Sequence, residues 1–127
     1  RIEIIANRMI EKGFDVNTVV EEVAEVQRLV EEFERDFYRK NGIYLRFDEE
    51  AIQRITEIAL EEDGKGSSIC SRLAKDYEDG FKLIRDKIGL REFILTREAV
   101  DNPELFLNRV IRDIYSRSSD QKAEGRE

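Results

Sequence analysis

Gly42-Ile-Tyr-Leu-Arg-Phe-Asp-Glu-Glu-Ala-Ile52, then Asp63-Gly-Lys-Gly-Ser-Ser-Ile-Cys-Ser-Arg-Leu73, then Arg91-Glu-Phe-Ile-Leu-Thr96 decide how this chain folds. Residues 43–47 alternate around Tyr44 and Arg46 with β-branched and aromatic neighbours, the pattern of a half-buried strand. Asp48 is an N-cap type, and Ala51, Ile52, Ile55, Ile58 and Ala59 behind it predict a helix to about residue 61. The Asp63-Gly-Lys-Gly run breaks that helix. From Ser67 or Ser68 a long helix carries Ile69, Leu73, Tyr77, Phe81, Ile84 and Ile88 on one side, tolerates Gly80 and stops at Gly89. Residues 91–96 then read as a second strand, with Phe93 and Leu95 on one face and Ile94 on the other.

Outward from that unit, Ile2, Ile5, Met9 and Ile10 predict a short helix ended by Gly13. Asp15 or Asn17 caps a second one that runs to about residue 40 and ends at Asn41-Gly42, a pair suited to left-handed backbone. On it Val16, Val19, Val23, Val26, Val30, Phe33 and Phe37 recur at steps of three and four. Two readings of this stripe stand: an amphipathic helix packing on its own domain, favoured because Val20 and Leu29 widen the stripe, or a seam for a partner helix through Val19, Val23, Val26, Val30, Phe33 and Phe37. After Asn102-Pro103 a last helix presents Leu105, Phe106, Val110, Ile111, Ile114 and Tyr115. From Ser116 onward the chain is small, polar and charged, and a disordered tail is expected over 118–127. No internal repeat is visible. Two strands are too few to stand alone, so the predicted class is α+β, mostly helical, with helices packed on a small two- or three-stranded sheet.

Composition narrows the function classes. The chain has 127 residues, one domain's worth, with 40% charged and 40% hydrophobic residues. A net charge of −7, from 29 acidic and 22 basic residues, opposes docking on nucleic acid or anionic lipid. No apolar run approaches the ~20 residues of a spanning helix. Cys70 is the only cysteine and histidine is absent, which removes internal disulfides, Cys-His and Ser-His pairs and imidazole-ligated zinc. With no signal-peptide pattern the expected compartment is the cytoplasm. The chain opens at Arg1, not Met, and is expected to be an excised fragment or a processed product, with its partner sequence upstream.

The remaining chemical motifs are weak. Gly64-Lys65-Gly66-Ser67-Ser68 invites comparison with a phosphate-binding loop, yet Ala59 stands where that loop needs its first glycine, and the segment follows a helix, not a strand. What is left is a turn feeding a helix N-terminus, which favours anions. Glu49-Glu50, Glu61-Glu62 and Asp76 with Glu78-Asp79 are expected as solvated faces, since none has the apolar surroundings that raise a catalytic pKa. Cys70 near a helix start sits where a thiol pKa can fall, but a buried small hydrophobe is the preferred reading.

The segment Gly42-Ile43-Tyr44-Leu45-Arg46-Phe47 with Asp48, Glu49, Glu50 and Ala51, continuing through Ile52 and Ala59, resembles the small C-terminal lid domain of AAA+ ATPases, of the ClpX and HslU unfoldase type. The resemblance covers roughly residues 25–100. It implies residues 1–24 as a helical lead-in, 25–117 as the lid-like domain and 118–127 as a tail. It also implies a lid that closes over nucleotide and passes hinge motion between ring subunits. Its partners would be an upstream large AAA+ domain and neighbouring subunits of a homo-oligomeric ring, with no nucleic acid and no membrane. ATP and Mg are implied for the parent protein and none for this chain alone, which should have no ATPase activity. The family's turn ends in an arginine that touches the γ-phosphate. Ser68 falls at that place here, so Lys65, Ser68 and Arg72 are the nucleotide-contact candidates.

Overall fold

The computed structural model describes residues 2–62 and 66–124, the last seven as backbone. Helix α1 (Ile2–Glu11) leads to α2 (Val16–Asn41), strand β1 (Tyr44–Phe47), α3 (Glu49–Glu61), α4 (Gly66–Ile88), strand β2 (Glu92–Leu95), the short α5 (Arg97–Asp101) and α6 (Pro103–Glu124). The class is α+β and mostly helical, with a two-stranded sheet, as the pattern predicts.

Local chemistry sets most of these boundaries. The Asp15 carboxylate accepts from the Thr18 N–H at 3.2 Å and starts α2, and Asp48 accepts from the Ala51 N–H at 2.8 Å and starts α3. Gly42 closes α2 at φ +66°, donating its N–H to the Tyr38 carbonyl, a conformation that costs most residues about 1–2 kcal/mol. Asn102 Oδ1 accepts from the Leu105 N–H at 3.3 Å, and Pro103 opens α6 where its missing N–H is not needed.

The strands pair in parallel, Tyr44 opposite Glu92 through Phe47 opposite Leu95. The reason lies in α2 and α4. Gly66 lies against Leu29, Lys40 pairs with Glu78 at 3.1 Å, and the Arg85 guanidinium donates to the Asn41 carbonyl at 2.6 Å. Contacts that advance together along both helices mean that the helices run side by side in one direction. Each ends in a left-handed glycine, Gly42 or Gly89, and feeds a strand, so the strands leave in the same direction too. Phe47-Asp48-Glu49-Glu50-Ala51-Ile52 and Leu95-Thr96-Arg97-Glu98-Ala99-Val100 then occupy matching places in the two units. The structure thus contains a repeated long helix, glycine, strand and helix start. Sequence inspection misses it because the two copies share pattern more than residues.

Leu45, Phe47, Phe93 and Leu95 turn toward the helices, while Tyr44, Arg46, Glu92 and Ile94 face away. The core joins Ile5 and Met9 of α1 to the α2 stripe, Ile52 and Ile55 of α3, Leu73, Tyr77 and Phe81 of α4, and Ala99 and Val100 of α5. The boundary expected between residues 24 and 25 falls inside α2, and α1 belongs to the same core. Helix α6 continues to Glu124, past the expected start of the tail at 118, since extending a formed helix needs no new nucleus. Residues 125–127 lie outside the described residues. Ile88, Leu105 and Tyr115, expected on buried faces, are exposed near the ends or outer side of their helices. Among the described residues no helix is long and apolar enough to cross a membrane.

Candidate functional site

Two of the nucleotide-contact candidates, Ser68 and Arg72, stand in the first two turns of α4. Gly66 is buried there, and a Cβ at that position would stand 3.1 Å from Leu29 Cδ1 and 3.8 Å from Val26 Cγ2, so the helix start is pressed onto α2. Ser68 and Arg72, four residues apart, share the exposed side of α4, opposite buried Ile69, Leu73 and Tyr77. Among the described residues Arg72 makes no ion pair. Ser68 lies in the first turn of α4 and Arg72 one turn further on, so the two side chains offer a hydroxyl and a guanidinium on one face, a donor set that suits an anionic oxygen. Lys65, the third candidate, lies outside the described residues.

On the other flank of α4, Ser67, Cys70, Ser71 and Ala74 line a groove of about 270 Å³ with Leu29, Glu32, Phe33, Asp36 and Phe37 of α2. Glu32 and Asp36 make its rim acidic. Burial, with Glu32 adding to it, pushes the Cys70 thiol up to about 11, so the sulfur stays protonated at neutral pH and behaves as a small hydrophobe.

Val19, Val23, Val26, Val30, Phe33 and Phe37 are buried within the domain itself, against α1, α3, α4 and β1. Of the two readings of that stripe, the structure contains the amphipathic helix packing on its own fold. Phe33 stacks with Phe37 at 5.8 Å and meets Phe47 edge-on at 5.2 Å, closing the end of the stripe against β1.

Three members of the acidic runs, Glu49, Glu50 and Glu78, are paired with cations. Arg8 reaches Glu50 at 3.0 Å and Glu49 at 3.8 Å, and Glu78 lies between Lys40 and Lys82. Among the described residues no three His, Cys, Asp or Glu side chains gather as metal ligands.

Sequence reasoning missed Glu57, whose side chain is only 7% exposed. Its Oε1 lies 3.2 Å from Lys12 Nζ and 3.4 Å from Arg97 Nη1, and its Oε2 lies 3.4 Å from Arg54 Nη1. Arg54 also reaches Asp101 at 2.6 Å. Burial acts to raise the Glu57 pKa, but Lys12 and Arg97 outweigh it and hold the carboxyl below its ordinary value. One carboxylate thus ties α1, α3 and α5 together. Beyond Arg54, one turn before it, no local signal marks its role, because Lys12 and Arg97 lie 45 residues before it and 40 after it.

Compared with known proteins, the chain matches no family model, no curated protein and no solved structure.

Proposed function

We propose that this domain is the small lid module of an AAA+ ATPase of the unfoldase type, which closes over nucleotide and passes hinge motion between subunits of a homo-oligomeric cytoplasmic ring. The observation that carries the reading is the 42–96 segment. Among its described residues, the stretch that resembles the family in sequence folds as strand, Asp48-capped helix, long helix and strand, with the two strands paired. A continuous core from α1 to α6 supports movement as one body, which hinge closure requires.

ATP and Mg would be held mainly by a large upstream domain. On this chain Arg72, with Ser68 on the same side of α4, would supply charge to a phosphate oxygen, and Lys65 is the third candidate. The role of the small domain is then positional: α4 places that guanidinium, and the packing of α2 on α4 fixes where α4 points.

The test is the native protein in its source cell, recovered by antibody and weighed intact. A species several times 14.9 kDa that hydrolyses ATP is the expected result. In that whole protein Arg72→Ala should lower ATP turnover roughly tenfold or more, as removal of a charge-stabilising donor does. A native mass near 14.9 kDa would overturn the motor reading.

A further inference from the structure

The outer face of β1 carries a feature that the lid reading does not use. Tyr44 stands on the sheet face turned away from the core, and Tyr38, in the last turns of α2, lies over it. Their rings are 4.0 Å apart between centroids and only 19° from parallel, closer than any other ring pair among the described residues. Both are open to solvent, Tyr38 at 43% and Tyr44 at 50% exposure. The Tyr44 phenol is held above its ordinary pKa, first by hydrogen bonding with Tyr38 and then by burial. Stacking at that distance brings carbons of one phenol ring face to face with carbons of the other.

Composition makes the pair a sink for one-electron oxidation. The chain has no tryptophan and no histidine. Its one methionine, Met9, is fully buried, and its one cysteine, Cys70, is buried with a protonated thiol. Tyr77 is enclosed in the core. Among the described residues the exposed, readily oxidised side chains are thus Tyr38, Tyr44 and Tyr115, and Tyr115 has no aromatic ring beside it.

We propose that Tyr38 and Tyr44 form an oxidative modification site, coupling within one chain to an ortho-ortho dityrosine when the protein meets a one-electron oxidant such as a peroxide-charged haem peroxidase. Each phenol loses one electron and its hydroxyl proton. The two phenoxyl radicals share one electron each in a new carbon–carbon bond between ortho positions. Each ortho hydrogen then moves to its own ring oxygen, restoring both hydroxyls. The product is two hydrogen atoms lighter, and one hydrogen peroxide becomes two waters. The link spans the Asn41-Gly42-Ile43 turn and locks the end of α2 to the start of β1, so the joint between long helix and strand can no longer open.

The experiment photo-oxidises the dilute full chain with tris-bipyridine ruthenium and persulfate, which works in both buffer and urea. Dityrosine fluorescence gives the rate and peptide mass mapping gives the position. The expected result is a monomer carrying the 38–44 link, formed roughly tenfold faster in buffer than in urea because stacking presents the reacting carbons to each other. Tyr38→Phe and Tyr44→Phe should each abolish it, and Tyr115→Phe should leave it intact. Equal rates in buffer and urea would overturn the proposal, as would coupling that runs mainly through Tyr115 between chains.

Discussion

Tyr77→Phe removes a single oxygen and tests how the two halves of the fold are joined. The Tyr77 hydroxyl donates to the Ala99 carbonyl at 2.6 Å, inside the core. That carbonyl lacks a helical partner for a reason visible in the sequence: four residues on stands Pro103, which has no N–H. The Asn102 N–H is also committed, to the Glu98 carbonyl at 2.8 Å. The phenylalanine variant keeps the ring contacts with Phe81 and Phe106 at 5.3 and 6.1 Å. It leaves a buried acceptor unpaired, which costs about 1–3 kcal/mol. Destabilisation of about 2 kcal/mol is expected, or a fall in Tm of roughly 5–10 °C for a domain of this size. Urea unfolding followed by circular dichroism should show a lower midpoint at constant m value. Hydrogen exchange should quicken first at the Asn102 amide, since α5 has only five residues. A change below about 0.5 kcal/mol would refute the reasoning, because it would mean that α5 holds its place without the bond.

Other outcomes follow from the same geometry. Glu57→Gln should lower stability at pH 7 by about 1–2 kcal/mol, less than a fully buried pair because Lys12 and Arg97 can turn to water. The Glu57 carboxyl is held low in the folded state, so its contribution is present above the unfolded pKa and lost as pH falls through the folded one. Stability of the variant should therefore vary less with pH on the acid side, read by urea midpoints from pH 7 downward. Cys70 works in the opposite sense: its raised thiol contributes fully below pH 9 and loses that contribution as pH rises toward about 11. Replacing it by Ala should flatten the alkaline decline, which otherwise approaches ~1.4 kcal/mol per pH step. Asp48→Ala should cost about 1 kcal/mol through the lost cap of α3, and Gly42→Ala about 1–2 kcal/mol through its left-handed backbone, both measured by thermal melts.

The sequence by itself determined the local elements: the caps at Asp15 and Asp48, the glycine stops, the alternation that makes two strands, and the α2 stripe. These rest on periods of two and 3.6 and on backbone groups a few residues apart, so short windows contain them. Ser68 and Arg72 came forward only through the family resemblance, and the structure places both on the exposed side of α4. What only the tertiary structure decided depends on groups far apart in the chain. The parallel sense of the strands follows from α2 and α4 lying side by side. Helix α5 is too short to show periodicity and is held by Tyr77, 22 residues before the carbonyl it serves. Glu57 gains its role from Lys12 and Arg97, and Tyr38 meets Tyr44 only because Gly42 turns the chain back. In each case the deciding term is a contact made when two elements dock, and no window of sequence contains both partners together with the geometry that joins them.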